Sequence, residues 1–237
     1  QGRAMTVHVS ARGRALINLL QLGADEKITS FVPVPDFSEG DLIMVTERGV
    51  IKRTRLSAFS RPKKTGIIAI SLDQGDRLIA VRRIFEKQEV LLATRNGMAV
   101  RFPEGKVRSM GRSARGVRGI RLIEDDFVIG AIVAGEGASV LTVCERGYGK
   151  RTDVSEYRLT NRGGKGVINI RTTERNGRVV EVLEVTDEDD VLIMTQNGKV
   201  IRCPMKAVRR IGRATQGVRL ITLEEGDLVS TLARVPA

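Results

Sequence analysis

The chain has 237 residues, a net charge of +12 and a sequence pI near 10.4. That length allows one large domain or two small ones, and that charge points to a polyanionic partner, nucleic acid before an acidic membrane. No apolar run is long enough to span a bilayer, no basic-then-apolar leader opens the chain, and two cysteines without a CxxC spacing (Cys144, Cys203) beside one histidine argue against a disulfide framework or a zinc site and for a reducing cytoplasm.

Aromatic residues make up 3% of the chain and Trp is absent, so Val, Ile and Leu must build the core, and these favour strands. In chain order, one unit recurs: an apolar alternation, a glycine turn and a basic strand. It reads LIMVTERGVIKRT at 42–54, LLATRNGMAVRF at 91–102, LTVCERGYGKRT at 141–152 and LIMTQNGKVIRC at 192–203. Its glycines, Gly49, Gly97, Gly147 and Gly198, are 48, 50 and 51 residues apart. Asn-Gly in two copies is hairpin chemistry, because both residues adopt positive φ readily.

A second unit is a glycine followed by alternating apolar residues, starting at Gly13, Gly66, Gly116, Gly166 and Gly217. A third is an acidic turn leading into a strand, from Asp73, Glu124 and Glu224; the fourth repeat carries Asn176-Gly177 there instead. No stretch holds a helical period. Five repeats of about four short strands predict an all-β radial array with one four-stranded sheet per repeat. The approximate repeats are 1–40 (an incomplete first blade), 41–88, 89–137, 138–190 and 191–237, in a single domain. Gly2 to Gly13 spans only 11 residues where later copies span 17 or 19, which implies roughly eight missing residues near Val7 to Ser10.

The cations fall in register. Segments 52–64, 101–121, 150–171 and 199–219 hold 26 of the 40 Lys and Arg but 3 of the 28 Asp and Glu. In a radial array these segments share one rim, which makes a track for a polyanion; ordinary solvated loops are the alternative. The candidate contacts are Arg53, Lys63, Lys64, Arg101, Lys106, Arg108, Arg112, Arg115, Lys150, Arg151, Arg158, Arg162, Lys165, Arg202, Lys206, Arg209, Arg210 and Arg213. Arg112, Arg162 and Arg213 each lie four residues before a repeat glycine, as phosphate clamps or as structural staples. The turn Asn161-Arg162-Gly163-Gly164-Lys165-Gly166 has the composition of a phosphate-holding loop. Gly66, Gly116, Gly166 and Gly217 read first as backbone-geometry residues. With few aromatics to stack bases and few Asn or Gln to read their edges, the expected partner is duplex DNA gripped by its backbone.

No catalytic site is legible. GxxxxGK[ST], a Rossmann fingerprint and GxSxG are all missing, and His8 has no triad partners. Asp187-Glu188-Asp189-Asp190 lacks the spacing of a calcium loop and reads as a solvated turn; no metal is expected. Tyr157, in a basic loop without a base beside it, reads as a packing or contact residue.

The repeats, with A-R-G-R-A-L-I-N-L-L at 11–20, R-S-M-G-R-S-A-R-G-V-R-G-I-R-L at 108–122, G-Y-G-K-R-T at 147–152, T-E-R-N-G at 173–177 and the closing G-R-A-T-Q-G-V-R-L-I, closely resemble the C-terminal domain of the DNA gyrase A subunit. The resemblance implies a β-pinwheel of five to six blades, propeller-like but with strands exchanged between blades. It implies sequence-tolerant wrapping of double-stranded DNA, in support of ATP-dependent negative supercoiling. The implied assembly is an A2B2 complex, in which the domain works with the rest of its own A chain and with the gyrase B subunit. The resemblance also implies a domain without its own catalysis or cofactor, since ATP and magnesium act elsewhere in the holoenzyme, monomeric in isolation, cytoplasmic and off the membrane. The family's box, Q-R-R-G-G-K-G, belongs to the first blade, whereas T-N-R-G-G-K-G at 160–166 sits in the fourth repeat and resembles a variant loop; a chain lacking the true box is expected to wrap DNA poorly. The corresponding domain of topoisomerase IV, or a propeller that binds protein, are the alternative readings.

Overall fold

The structure, a computed structural model, describes residues 2–4, 26–63, 65–135 and 137–236. His8, Lys64, the repeat beginning at Gly13 and the proposed gap near Val7 to Ser10 lie outside the described residues. The fold is all-β, and among the described residues no helix is long and apolar enough to cross a membrane.

Each hairpin forms where the sequence places its glycine turn. Strands β2 (Asp41–Thr46) and β3 (Val50–Arg55) pair antiparallel around Gly49. So do β6 (Glu89–Thr94) with β7 (Met98–Pro103), β10 (Ser139–Cys144) with β11 (Tyr148–Asp153), and β14 (Asp190–Thr195) with β15 (Val200–Pro204). The strand after each acidic turn folds back on the first strand of its own hairpin: β5 (Leu78–Ile84) on β2, β9 (Val128–Ala134) on β6, β13 (Val179–Val185) on β10 and β17 (Val229–Val235) on β14.

The short strand after the second glycine does something else. It leaves its repeat and pairs with the basic strand of the preceding one. Thus β8 (Val117–Arg118) joins β3, β12 (Val167–Ile168) joins β7, and β16 (Val218–Arg219) joins β11. Likewise β4 (Ile67–Ile70) joins β1 (Gly2–Ala4). Periodicity predicted one sheet per repeat; each four-stranded sheet instead takes three strands from one repeat and one from the next, in orders β5-β2-β3-β8, β9-β6-β7-β12 and β13-β10-β11-β16. The last sheet, β17-β14-β15, has three strands among the described residues. Contacts of β5 with β9, β9 with β13 and β13 with β17 put these strands at the centre and the exchanged strands at the outer edge.

Because strand side chains alternate between faces, a strand between two blades must be apolar on both. In β6, Val90 and Leu92 pack toward the first hairpin while Leu91 and Ala93 pack toward the third. In β10, Val140 packs toward the second hairpin and Leu141 and Val143 toward the fourth. The core is therefore a series of inter-blade layers. Tyr157 is part of one, 1% exposed, its hydroxyl donating to Asn169 Oδ1 at 2.6 Å. It is a packing residue.

The exchange brings backbones together where a side chain would not fit. A Cβ on Gly166 (φ +79) would stand 2.2 Å from the Ala99 carbonyl oxygen of the preceding blade, and Gly116 and Gly217 face the same conflict with Ile51 and Gly149. The repeat glycines are geometric, as their spacing implied.

A second device locks neighbouring blades. Arg53, Arg101 and Arg151 occupy one place on successive basic strands. Each holds a group on its own hairpin: Arg53 Nε meets Asp41 at 2.6 Å, Arg101 Nε meets Glu89 at 2.6 Å and Arg151 Nε donates to Ser139 Oγ at 2.6 Å. Each then sends Nη1 into the 3-10 turn of the next repeat, to the carbonyls of Glu104 (3.1 Å), Val154 (2.9 Å) and Met205 (2.8 Å) respectively. Arg202, the fourth in the series, pairs with Asp190 and leaves 67% of its side chain exposed, against 17%, 17% and 1% for the others. Arg151→Met should lower unfolding stability by about 1–3 kcal/mol by leaving the buried Ser139 hydroxyl and Met205 carbonyl without their donor, while Arg202→Met should change it by under about 1 kcal/mol; urea unfolding of the two variants measures the difference.

Candidate nucleic-acid interface

The outer edge is built from the loops that carry each exchanged strand. They are bonded loop to loop. Ser71 N–H donates to Ala114 O (3.3 Å), Arg121 N–H to Gly164 O (2.8 Å) and Arg171 N–H to Thr215 O (2.9 Å). Arg162 donates through Nε to Lys106 O (2.8 Å) and through Nη1 to Arg118 O (3.0 Å). Arg213 repeats the second contact, Nη1 to Ile168 O at 2.8 Å. The basic segments therefore form one continuous outer belt rather than scattered patches.

Within that belt the cations separate into two kinds. The expectation that Arg53, Arg101, Lys150 and Arg151 touch phosphate is corrected. Lys150 and Arg151 are buried, and Arg53 and Arg101 are turned inward as staples. Lys150 Nζ donates to Thr152 Oγ1 (2.6 Å) and to the Gly212 carbonyl (3.2 Å), tying the crossing loop to β11. Lys52 does the same two blades earlier, to the carbonyls of Ala69 and Arg112. Arg162 and Arg213 are half-buried loop staples, and the box-like turn is part of the same joint, since Gly163 N–H is given to Gly119 O. Asn161, Lys165 and Gly166 lie exposed beside it, and Gly164 supplies the carbonyl taken by Arg121.

Arg115 is exposed but holds Asp73 through two nitrogens, which keeps that carboxyl below its usual range. Arg210 holds Asp153 (2.7 Å) and Asp187 (3.1 Å). The acidic cluster is correspondingly not a solvated turn: Asp187 binds Arg151 and Arg210, Asp189 binds Arg234 and Thr186, and Asp190 binds Arg202. Among the described residues no group of acids, cysteines or histidines is arranged to hold a metal.

The other candidates point outward. Lys63, Lys106, Arg108, Arg158, Lys165, Lys206 and Arg209 are exposed, and among the described residues their side chains make no ion pair or hydrogen bond; half-buried Arg112 likewise keeps its guanidinium unpaired. Arg108, Arg158 and Arg209 form a matched column. Each follows a buried anchor of its loop, Val107, Tyr157 or Val208, so the same backbone geometry turns each outward. Sequence reasoning missed exposed Arg118, Arg121, Arg171 and Arg219. A signal existed: Arg121 and Arg171 both lie five residues after a repeat glycine.

Residues 40–84, 88–134, 138–186 and 189–236 match the family described as "DNA gyrase C-terminal domain, beta-propeller". The chain belongs to this family. The DNA gyrase A protein of Chlamydia muridarum is 47% identical over 229 residues, covering 95% of this chain and 28% of that protein. Its counterpart in Salmonella typhimurium is 47% identical over 227 residues, covering 95% and 26%. The chain thus spans about a quarter of the length of these relatives. Among solved structures, a DNA gyrase A C-terminal domain superposes with a TM-score of 0.84 at 26% identity, covering 94% of this chain and 75% of the other. A DNA topoisomerase IV C-terminal domain superposes at 0.87 with 25% identity, covering 94% and 71%. The strand exchange and staples described above are how this chain builds the family's propeller.

Burial leaves a titration signature in those staples. It depresses Lys52 to about 8 and Lys150 to about 7, from 10.5. The unfolded chain then binds more protons than the folded one between those values and 10.5, so stability from these groups rises with pH across that window and is lowest below pH 7. Lys150→Met should flatten the rise in melting temperature between about pH 7 and pH 9, read by thermal unfolding across a pH series.

Proposed function

We propose that this chain binds and bends duplex DNA along its outer belt, as the C-terminal domain of a gyrase A protein. The observation that carries the proposal is the column Arg108, Arg158 and Arg209, unpaired and repeated in three successive repeats on loops bonded to each other. A row of cations at blade spacing fits a polymer with a regular charge and does not discriminate bases. Bending a short duplex costs on the order of 1–6 kcal/mol, which several phosphate contacts offset.

On this reading the domain has no chemistry and needs no cofactor of its own. It is monomeric in isolation and acts within an A2B2 gyrase, where ATP and magnesium are used elsewhere. Gyrase is favoured over topoisomerase IV by the gyrase A relatives at 45–47% identity, since the solved domains of both enzymes are about equally alike in fold.

Affinity for any duplex should fall steeply between about 50 and 200 mM salt, and replacing Arg108, Arg158 and Arg209 with Ala together should cut the slope of log K against log salt by about 2–3. Fluorescence anisotropy with unrelated duplexes measures both. Binding that ignores salt would favour the protein-scaffold reading.

A further inference from the structure

The first and third hairpins differ at one matched place, and the difference leaves a cleft. Backbone bridges align Arg53 with Ser109, Arg101 with Leu159 and Arg151 with Arg210, so Ser109, Leu159 and Arg210 are equivalent. The hairpin ladders align Arg55, Pro103 and Asp153 in the same way, each opposite the first residue of its partner strand. In the third blade the two positions carry Arg210 and Asp153, which form an ion pair at 2.7 Å. In the second they carry Leu159 and Pro103, which need no partner. In the first they carry Ser109 and Arg55: the cation sits on the hairpin, and the facing residue is too small and too neutral to meet it.

What remains is an open cleft of about 510 Å³ lined by Thr54, Arg55, Ser57, Ala58, Ser109, Met110 and Gly111. No carboxylate is among these lining residues. Arg55 is exposed, and among the described residues its guanidinium makes no ion pair or hydrogen bond; the hydroxyls of Ser57 and Ser109 are likewise unpaired. Thr54 is 1% exposed, and its Oγ1 is buried without a hydrogen-bond partner. The equivalent Thr152 is satisfied, accepting from Lys150 and donating to the Ile211 carbonyl at 2.8 Å. In the first blade Lys52 turns to Ala69 and Arg112 instead, and Thr54 is left over. A buried hydroxyl with no partner is costly and marks this joint as less complete than its counterpart, and the two exposed hydroxyls beside one guanidinium form a donor set suited to a tetrahedral oxyanion.

We propose that this cleft binds a phosphate group, with Arg55 supplying the charge and Ser57 and Ser109 supplying hydroxyl donors. The anion replaces the carboxylate that Asp153 provides in the third blade. The group can come from a DNA backbone phosphodiester, in which case the site rests on the duplex-binding reading, or from a free phosphate compound, in which case it stands apart from it.

The test is an amide-resolved NMR titration of the chain with inorganic phosphate, with pyrophosphate and with a short duplex. The variants are Arg55→Gln and Ser109→Leu; leucine already occupies the equivalent position as Leu159, so the second keeps the fold. Saturable shifts at Ser57, Ser109 and Gly111 with phosphate or pyrophosphate, lost at least tenfold in affinity in both variants, are expected. The same shifts with duplex, competed by pyrophosphate, identify the backbone as the source; shifts with the small anions alone identify a free compound. Unmoved amides with all three probes, or shifts unchanged in Arg55→Gln and Ser109→Leu, overturn the site. Steep salt-dependent duplex binding that leaves these amides still overturns the site and leaves the duplex reading intact.

Discussion

The array depends on one repeated contact: an arginine on three successive basic strands, Arg53, Arg101 and Arg151, reaching into the 3-10 turn of the next repeat. A blade of short strands has little core of its own, and its hydrophobic layers exist only between blades. Those layers are non-directional, so something must fix how one blade sits on the next. The planar guanidinium of Arg53, Arg101 or Arg151 does so, holding its own hairpin with one edge and the neighbour's carbonyls with the other. Strand exchange adds a second fixed reference, with β8, β12 and β16 hydrogen-bonded across the same junctions.

This architecture explains why so basic a chain commits many of its cations internally. Crossing loops leave carbonyls that no ladder satisfies, and long cationic side chains reach them. Lys52, Lys150, Arg162 and Arg213 are used in this way, each to a loop or strand carbonyl. What is left for a polyanion is the set that no carbonyl or carboxylate claims, and five of its members, Lys106, Arg108, Arg158, Lys206 and Arg209, flank the buried anchors Val107, Tyr157 and Val208. The charge surplus of the belt is therefore smaller in effect than its count of Lys and Arg, but better aligned.

Much of the fold was legible because the signals were local and repeated. Glycine turns at Gly49, Gly97, Gly147 and Gly198 mark hairpins, and alternating apolar residues mark strands buried on two faces. Strand exchange was not legible from period alone, since a strand of Val167–Ile168 reads the same whichever blade it joins. The basic belt was visible as a charge pattern, but the roles within it were not. Arg151 and Arg158 look alike in sequence; one is buried among Ser139, Met205 and Asp187, and the other is exposed. The acidic run at 187–190 hides its role for the same reason, because its arginine partners at 151, 202, 210 and 234 come from elsewhere in the chain.

The loop-to-loop bonds have a mechanical meaning. A stiff polymer curved around a ring pulls outward on whatever holds it. Here an outward pull on the loop at 161–166 passes through Arg121 and Arg162 to the loop before it, and through Arg171 and Arg213 to the loop after it. Tension applied at one point is shared among neighbours as hoop stress, as in a barrel held by its band.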